Sequence, residues 1–383
     1  MRIVADENIP LLDAFFGPLG QIIRLPGREI DRTVLLDADV LLVRSVTAVP
    51  AGLLAGTPVR FVGTCTIGKD HLDVPGLVAA GVTVASAPGC NARGVVEYVL
   101  SCLLTLSERT GQSWRDKTVG VVGVGEVGGR LVNTLEALGV RCLRCDPPRA
   151  EKGEAGLIPL DALIAEADVI TCHVPLLREG EYPTFHLFDY TRLKALRQGV
   201  WLINSSRGPV INNQALAEVL SQRNDLQVAL DVWEHEPDVD LSLMRLCALA
   251  TPHIAGYSLD GKLRGTAQIY AALCAYMQQP AWVQLADLAP DTGRAQLRVH
   301  PDVPAEWLLG RALRWVYDVR DDDARMRSSF SLGTSEAERR AGFDRLRKEY
   351  PLRREAGLLT IASSDELSAD TCSLILAAGF LIP

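Results

Sequence analysis

Six residues constrain this chain more than any others: Gly123-Val124-Gly125-Glu126-Val127-Gly128. They follow an apolar run, Thr118 to Val122, and precede a segment, Gly129 to Leu138, patterned as a helix. In that setting each glycine has a task. The first permits the tight turn, the second lets the backbone approach a pyrophosphate, and the third lets helix and strand pack closely. The anion then sits on the helix N-terminus, where free N–H groups and the dipole favour it. A dinucleotide is therefore expected at Gly123, Gly125, Glu126, Val127 and Gly128. The next strand, Arg141 to Cys145, ends at Asp146, about 18 residues past Gly128, the spacing of a ribose-binding acid. An acid there accepts from the ribose hydroxyls and repels a 2′-phosphate, so NAD is expected over NADP; Arg149 is the competing cue.

The same alternation runs through most of the chain. Strands are predicted at Arg2 to Ala5, Val40 to Val43, Arg60 to Val62 and Thr83 to Ala85, then at Thr118 to Val122, Arg141 to Cys145, Val169 to His173, Val200 to Asn204, Gln227 to Asp231 and Ala248 to Ala250. Helical segments separate most of them. Repeated βα units imply an α/β protein with parallel sheets and right-handed crossovers. A helix from Gly94 to Thr110 connects two such domains, and one from Gly261 to Met277 returns the chain to the first. The expected organisation is a discontinuous substrate domain (residues 1–93 with 257–285), a doubly wound Rossmann-type NAD domain (94–256) and a small C-terminal α/β domain (286–383). Pro280 and Pro290 bracket the linker. From about Thr292 the last module offers a strand (Ala295 to Val299), an amphipathic helix (Ala305 to Val319), a capping box at Ser335-Glu336-Ala337-Glu338 opening a helix to Lys348, and apolar runs at Leu358 to Ala362 and Thr371 to Ala378.

Composition narrows the ligand. A formal charge of -8 argues against nucleic acid as the main partner, though a few arginines can still build a pocket for a small anion. No apolar run reaches the roughly 18 residues of a membrane span, and no leader is read at the start, so a cytoplasmic protein without membrane contact is expected. The nine cysteines are scattered, as reduced thiols would be. Cys142 and Cys145 form a C-x-x-C, but residues three apart on a strand face opposite ways. No cluster has metal-ligand spacing, and no metal is expected.

Three segments fall at the ends of later strands, where such sheets bind ligands: Asn204-Ser205-Ser206-Arg207-Gly208, Asp231-Val232-Trp233-Glu234-His235-Glu236-Pro237 and Thr251-Pro252-His253-Ile254-Ala255-Gly256. With the glycine turn, they resemble the D-isomer-specific 2-hydroxyacid dehydrogenases from the first strand to about Met277. The resemblance implies a flavodoxin-like substrate domain and a catalytic trio of Arg207, Glu236 and His253, with Val174, Ser206, Asp231 and Gly256 lining the NAD site. The residue types suit the chemistry. Alcohol oxidation at C2 needs a proton acceptor, His253; a carboxylate, Glu236, to orient and charge-match it; and a planar fork, Arg207, for the substrate carboxylate. His173 ends a strand beside the crevice and is read as lining it without moving a proton.

Further strings, Asp6-Glu7-Asn8-Ile9-Pro10, Val43-Arg44-Ser45-Val46-Thr47, Gly63-Thr64-Cys65-Thr66-Ile67-Gly68, Ala87-Pro88-Gly89-Cys90-Asn91 and Ile254-Ala255-Gly256-Tyr257, are similar to one branch of that family. The insert Arg178 to Thr184 and the C-terminal module fit it too. That branch oxidises 4-phospho-D-erythronate at C2 on the bacterial route to pyridoxal 5′-phosphate. The likeness implies Ser45, Thr66 and Tyr257 as substrate contacts and a C-terminal module that makes a homodimer. On charge grounds Arg44 and Arg93 are candidate phosphate partners. Lys69 and His235 depart from the commoner pattern, and Lys69 leaves the phosphate geometry open. Other readings within the same fold are a dehydrogenase for 3-phosphoglycerate or glyoxylate, and a non-enzymatic NAD-sensing binding protein.

Overall fold

Short runs of valine, isoleucine and leucine, broken by turns, build two parallel sheets in the computed structural model, which describes residues 1–288, 295–333 and 335–383. The chain separates into two compact units, Met1–Ala92 with Tyr257–Gly293 and Arg93–Gly256 with Arg294–Pro383. In the first unit the strands are β1 (Arg2–Asp6), β2 (Gln21–Leu25), β3 (Val40–Val43), β4 (Phe61–Thr64) and β5 (Thr83–Ser86). All pair in parallel, in the order β2-β1-β3-β4-β5, which is the flavodoxin-like order. β3 and β4 are buried along their whole length. Such strands read as continuous apolar runs because both faces of the sheet are covered. One face packs Ile3, Leu42 and Phe61 with Phe15, Phe16, Tyr270 and Leu273. The last two belong to the helix Leu259–Tyr276, so the returning helix completes this core. β2 was not among the expected strands. It is a half-exposed edge strand, paired among the described residues to β1 alone, and its apolar signal is too short to stand out.

The second unit holds β6 (Val119–Val122), β7 (Cys142–Cys145), β8 (Val169–Cys172), β9 (Trp201–Asn204), β10 (Gln227–Leu230) and β11 (Leu249–Ala250). They are parallel, in the order β11-β10-β9-β8-β6-β7. Chain order reverses at β6, which has β7 on one side and β8 on the other. The crevice above such a switch point is where doubly wound sheets take ligands. The expected doubly wound α/β architecture is thus present. The nine cysteines, Cys142 and Cys145 of β7 among them, are free thiols.

The C-terminal segment adds a parallel pair, β12 (Ala295–Val299) and β13 (Leu359–Ser363), and helices Ala305–Val316, Val319–Leu332, Glu336–Lys348 and Ala369–Ala377. Pro290 and Thr292, where the sequence puts the start of this module, lie outside the described residues. The helix expected from Ala305 to Val319 ends at Val316. Tyr317 is extended at φ -155, and Asp318 caps a second helix by accepting the Arg320 N–H. An aspartate is among the best N-caps, so it starts a helix more readily than it continues one. The capping box at Ser335 and Glu338 forms in full. Met326, Phe330 and Phe343 enter the same hydrophobic cluster as Leu230, Leu243, Met244 and Ala250. The C-terminal helices are thus built onto the outer edge of the NAD-type sheet.

Candidate active site

The glycine turn has the shape a dinucleotide requires. Gly123 lies at φ 87, and a Cβ there would stand 2.7 Å from the His173 carbonyl oxygen and 2.8 Å from a Val174 methyl. A Cβ at Gly128 would collide with the Gly123 carbonyl, so only glycine lets the helix Glu126–Ala137 approach the strand. Gly125 faces open space, with nothing within 4 Å of an added Cβ. No side chain among the described residues caps the helix that Gly125 begins. Its first N–H groups remain available, as an approaching pyrophosphate needs. Asp146 closes β7 and accepts the Val124 N–H at 2.9 Å, fixing the turn. Arg149 donates to the Val124 carbonyl and pairs with Glu154 at 2.5 Å. The one feature that pulled toward a 2′-phosphate is therefore already engaged.

β9, β10 and β11 end in the three motif segments. After β9, buried Asn204 accepts from the Ser206 N–H at 3.1 Å and the Ser206 hydroxyl at 2.8 Å, and donates to the Arg207 carbonyl at 3.0 Å. Arg207 donates to the Ser206 carbonyl at 2.7 Å. The next residue must be glycine: a Cβ at Gly208 would overlap the Trp233 carbonyl. That close approach brings the arginine segment against the segment after β10.

There Glu236 accepts the Trp233 N–H on Oε1 at 2.8 Å, while its Oε2 stands 2.7 Å from His253 Nδ1. A carboxylate only accepts, so Nδ1 carries the hydrogen and Nε2 is left as the base. The imidazole is 32% exposed and the carboxylate 19%. Burial pushes the Glu236 carboxyl up. The charge and hydrogen bond of His253, the Arg347 guanidinium and the Trp233 N–H outweigh this and hold it below its ordinary value.

His253 itself adopts φ 58, the left-handed region, which costs a residue with a Cβ roughly 1–2 kcal/mol. Asp231 holds it there. Its carbonyl accepts the His253 N–H at 2.7 Å. Its buried carboxylate accepts from Ile254 N–H and Ala255 N–H, each at 2.9 Å, and from the Thr251 hydroxyl at 2.7 Å. Burial pushes the Asp231 carboxyl up, and the His253 charge, the Thr251 hydroxyl and the two N–H groups pull it only part of the way back. His173 lies against the glycine turn, hydrogen-bonded to Thr171 at 2.9 Å. Burial pushes its imidazole down to about 3, so it stays neutral and is too weak a base to take a substrate proton.

In the first unit, Arg44 and Ser45 follow β3, and Thr66 follows β4. Thr66 donates to the Gly68 carbonyl at 3.1 Å and meets the Thr64 hydroxyl at 2.8 Å, which is 3.0 Å from His71 Nε2. Tyr257 precedes the helix Leu259–Tyr276, and the Lys262 ammonium stands 4.8 Å over its ring. Burial, and then the charge of Arg44, push the Lys262 ammonium down to about 8. Among the described residues neither cation has an ion-pair partner. Lys262 was not singled out in the sequence; only its neighbours in space set it apart. Arg93, by contrast, does not stand free for a phosphate. It pairs with Glu97 at 2.9 Å and donates to the Ala378 carbonyl.

Comparison with known proteins supplies a second line of observation. Residues 103–255 match the profile of the D-isomer specific 2-hydroxyacid dehydrogenase NAD binding domain. Residues 288–375 match a domain family described only as one of unknown function. The chain is 55% identical over 382 residues to erythronate-4-phosphate dehydrogenase of Pseudomonas savastanoi pv. phaseolicola, covering 100% of both chains. It is 56% identical over 367 residues to the enzyme of the same name from Pseudomonas aeruginosa, covering 96% of each. Among solved structures, D-lactate dehydrogenase from Aquifex aeolicus, complexed with NAD and lactic acid, matches with a TM-score of 0.61 at 23% identity, covering 73% of this chain and 96% of that one. At that identity the structural likeness concerns the fold.

Proposed function

Because this chain belongs to the erythronate-4-phosphate dehydrogenases, within the D-isomer-specific 2-hydroxyacid dehydrogenase family, we propose that it oxidises 4-phospho-D-erythronate at C2 to (R)-3-hydroxy-2-oxo-4-phosphonooxybutanoate. It is an NAD-dependent oxidoreductase, and the proposed step lies on a route to pyridoxal 5′-phosphate. The 2.7 Å pairing of His253 with Glu236, beside a turn shaped for a dinucleotide, carries this reading. NAD, when bound, supplies the hydride acceptor at C4 of its nicotinamide. His253 Nε2 takes the hydroxyl proton. Glu236 keeps the ring oriented through Nδ1 and stabilises the imidazolium that forms. Arg207 presents its fork to the substrate carboxylate and to the oxygen becoming a carbonyl. Ser45, Thr66 and Tyr257 contact the substrate. Gly123, Gly125, Glu126, Val127, Gly128, Asp146, Val174, Ser206 and Gly256 form the NAD side, and Asp231 holds the loop that carries His253 beside it.

The 4-phosphate is assigned to Lys262, which stands over the Tyr257 ring, and to Arg44, whose charge it feels; neither has an ion-pair partner among the described residues. Lys262 keeps its proton below about pH 8 and loses it above, so phosphate recognition is strong below that pH and fades as pH rises through it. A charge-assisted contact of about 1.5–3 kcal/mol corresponds to roughly 10–100-fold in kcat/KM. NADH formation from 4-phospho-D-erythronate, D-erythronate and 3-phospho-D-glycerate, on either side of about pH 8, tests both points. The expected result is a marked preference for the first, reduced at high pH and reduced at every pH in Lys262→Met. Equal turnover of all three would remove the substrate assignment. An unchanged preference in Lys262→Met would remove the lysine alone.

The chain is also assigned a homodimer through its C-terminal segment. Trp307 is 54% and Leu376 55% exposed, on helices that pack together there. Trp307→Glu should halve the mass seen by light scattering; an unaltered dimer would place the interface elsewhere. A cytoplasmic location accords with nine free thiols and with no membrane-length apolar helix among the described residues. Cell fractionation that recovers the activity outside the cytoplasm would contradict it.

A further inference from the structure

The loop bearing His253 is held from two directions. On one side is β10, through Asp231. On the other is the C-terminal segment. Just before the loop, the Ala250 N–H at the outer edge of the sheet is accepted by Asp323 at 2.8 Å. The helix carrying Asp323 is locked in place by Arg327, which pairs with Asp323 at 2.9 Å and donates to the carbonyls of Met244 at 3.1 Å and Cys247 at 2.9 Å. Just after His253, the Ala255 carbonyl accepts from Arg353 at 3.1 Å. Arg353 is only 5% exposed. The same guanidinium donates to the Gly94 carbonyl at 2.6 Å, stands 3.4 Å from Glu97 and lies 3.9 Å over the Tyr317 ring. Glu97 in turn accepts the Ala356 N–H at 2.8 Å, tying the segment back to the helix Ala92–Thr110.

A buried guanidinium is a poor way to gain stability alone, since a well-packed apolar side chain often does as well without desolvating a charge. What it adds is direction. Its rigid fork fixes two carbonyls at once, and one of them lies two residues from a histidine whose backbone is in the left-handed region. We propose that the C-terminal segment positions the proton-handling pair: Arg353 and Asp323 fix the backbone on both sides of His253 so that its imidazole meets Glu236. This rests on the reading of His253 and Glu236 given above. Arg353 and Asp323 are positioning residues and touch neither substrate nor cofactor. The role is separate from dimer formation and would hold in a monomer.

A double-mutant cycle on the full-length protein tests this, with kcat, the KM for NAD and thermal stability followed together. Arg353→Met should lower kcat about 10–100-fold, the scale of an ångström-sized misplacement, and leave the KM for NAD within about twofold. In a Glu236→Gln background the same substitution should cost less than about threefold, because the charge-assisted pairing it serves is already gone. A purely structural arginine would lower both backgrounds by the same factor, and that result would overturn the proposal. So would an unchanged kcat in folded Arg353→Met. If Glu236→Gln itself loses no activity, the underlying reading of the pair fails instead. Should Arg353→Met not fold, Glu97→Gln/Arg353→Met removes both buried charges together. Its kcat against Glu97→Gln alone, with and without Glu236→Gln, then decides by the same criteria.

Discussion

Replacing His253 with glutamine lowers kcat by about 10²–10⁴, the usual worth of a positioned general base. Glutamine is close in size and can still donate to Glu236, so the loop has little reason to move. What disappears is the Nε2 lone pair, the one site on the side chain that can take the hydroxyl proton. Steady-state NADH formation measures the loss, and the KM for NAD should stay within a few-fold. Glu236→Gln is milder. It keeps a group opposite Nδ1 at the 2.7 Å contact but removes the charge that supports an imidazolium, and about tenfold to a hundredfold is expected for a charge-assisted hydrogen bond of 1.5–3 kcal/mol. His253→Gln activity within a few-fold of the parent protein would mean that the proton leaves by another path. His173 could not supply it, because burial leaves that imidazole a very weak base.

The parts of this arrangement that were legible in the sequence share one property: their signal is local. The glycine turn announces itself because a tight turn, an open approach and a close helix–strand contact each exclude side chains within six residues. The buried strands β3, β4, β6, β8 and β9 are mostly apolar because each face is covered. Arg207, Glu236 and His253 are legible because each lies just past a strand end. Where the determinant is distant, the sequence is silent. β2 shows half its surface to solvent and carries no clear pattern. The helix Val319–Leu332 looks like an exposed charged stretch, yet Asp322 and Asp323 are buried and bonded to Tyr317 and to the Ala250 N–H. Lys262 and Arg353 are ordinary cations in sequence. Only folding sets one beside Arg44 and Tyr257 and the other against the Ala255 carbonyl.

Asp231 is where local and distant signals diverge, and Asp231→Ala is expected to be among the most damaging single substitutions in the chain. The resemblance places Asp231 among the residues lining the nucleotide. Its carboxylate oxygens, however, are taken up by Ile254 N–H, Ala255 N–H and the Thr251 hydroxyl. Alanine leaves two buried N–H groups unpaired, at about 1–3 kcal/mol each, or roughly 2–6 kcal/mol together. Removing a buried carboxylate that already resists ionisation offsets part of this, so the net loss should fall toward the lower end. Tyr98, 2.9 Å from the Thr251 hydroxyl, can keep that group bonded. Catalysis should suffer beyond stability. Without its anchors the loop can relax from φ 58 at His253, and a misplaced base costs on the order of 10² in kcat. Asp231→Asn should fall between, since one acceptor survives while an amide NH₂ is turned toward backbone donors. Denaturant melts and steady-state kinetics on the same preparations separate the two roles. A large fall in kcat and stability, with a nearly constant KM for NAD, identifies Asp231 as the support of the histidine loop. A raised KM for NAD with stability intact would return it to the nucleotide.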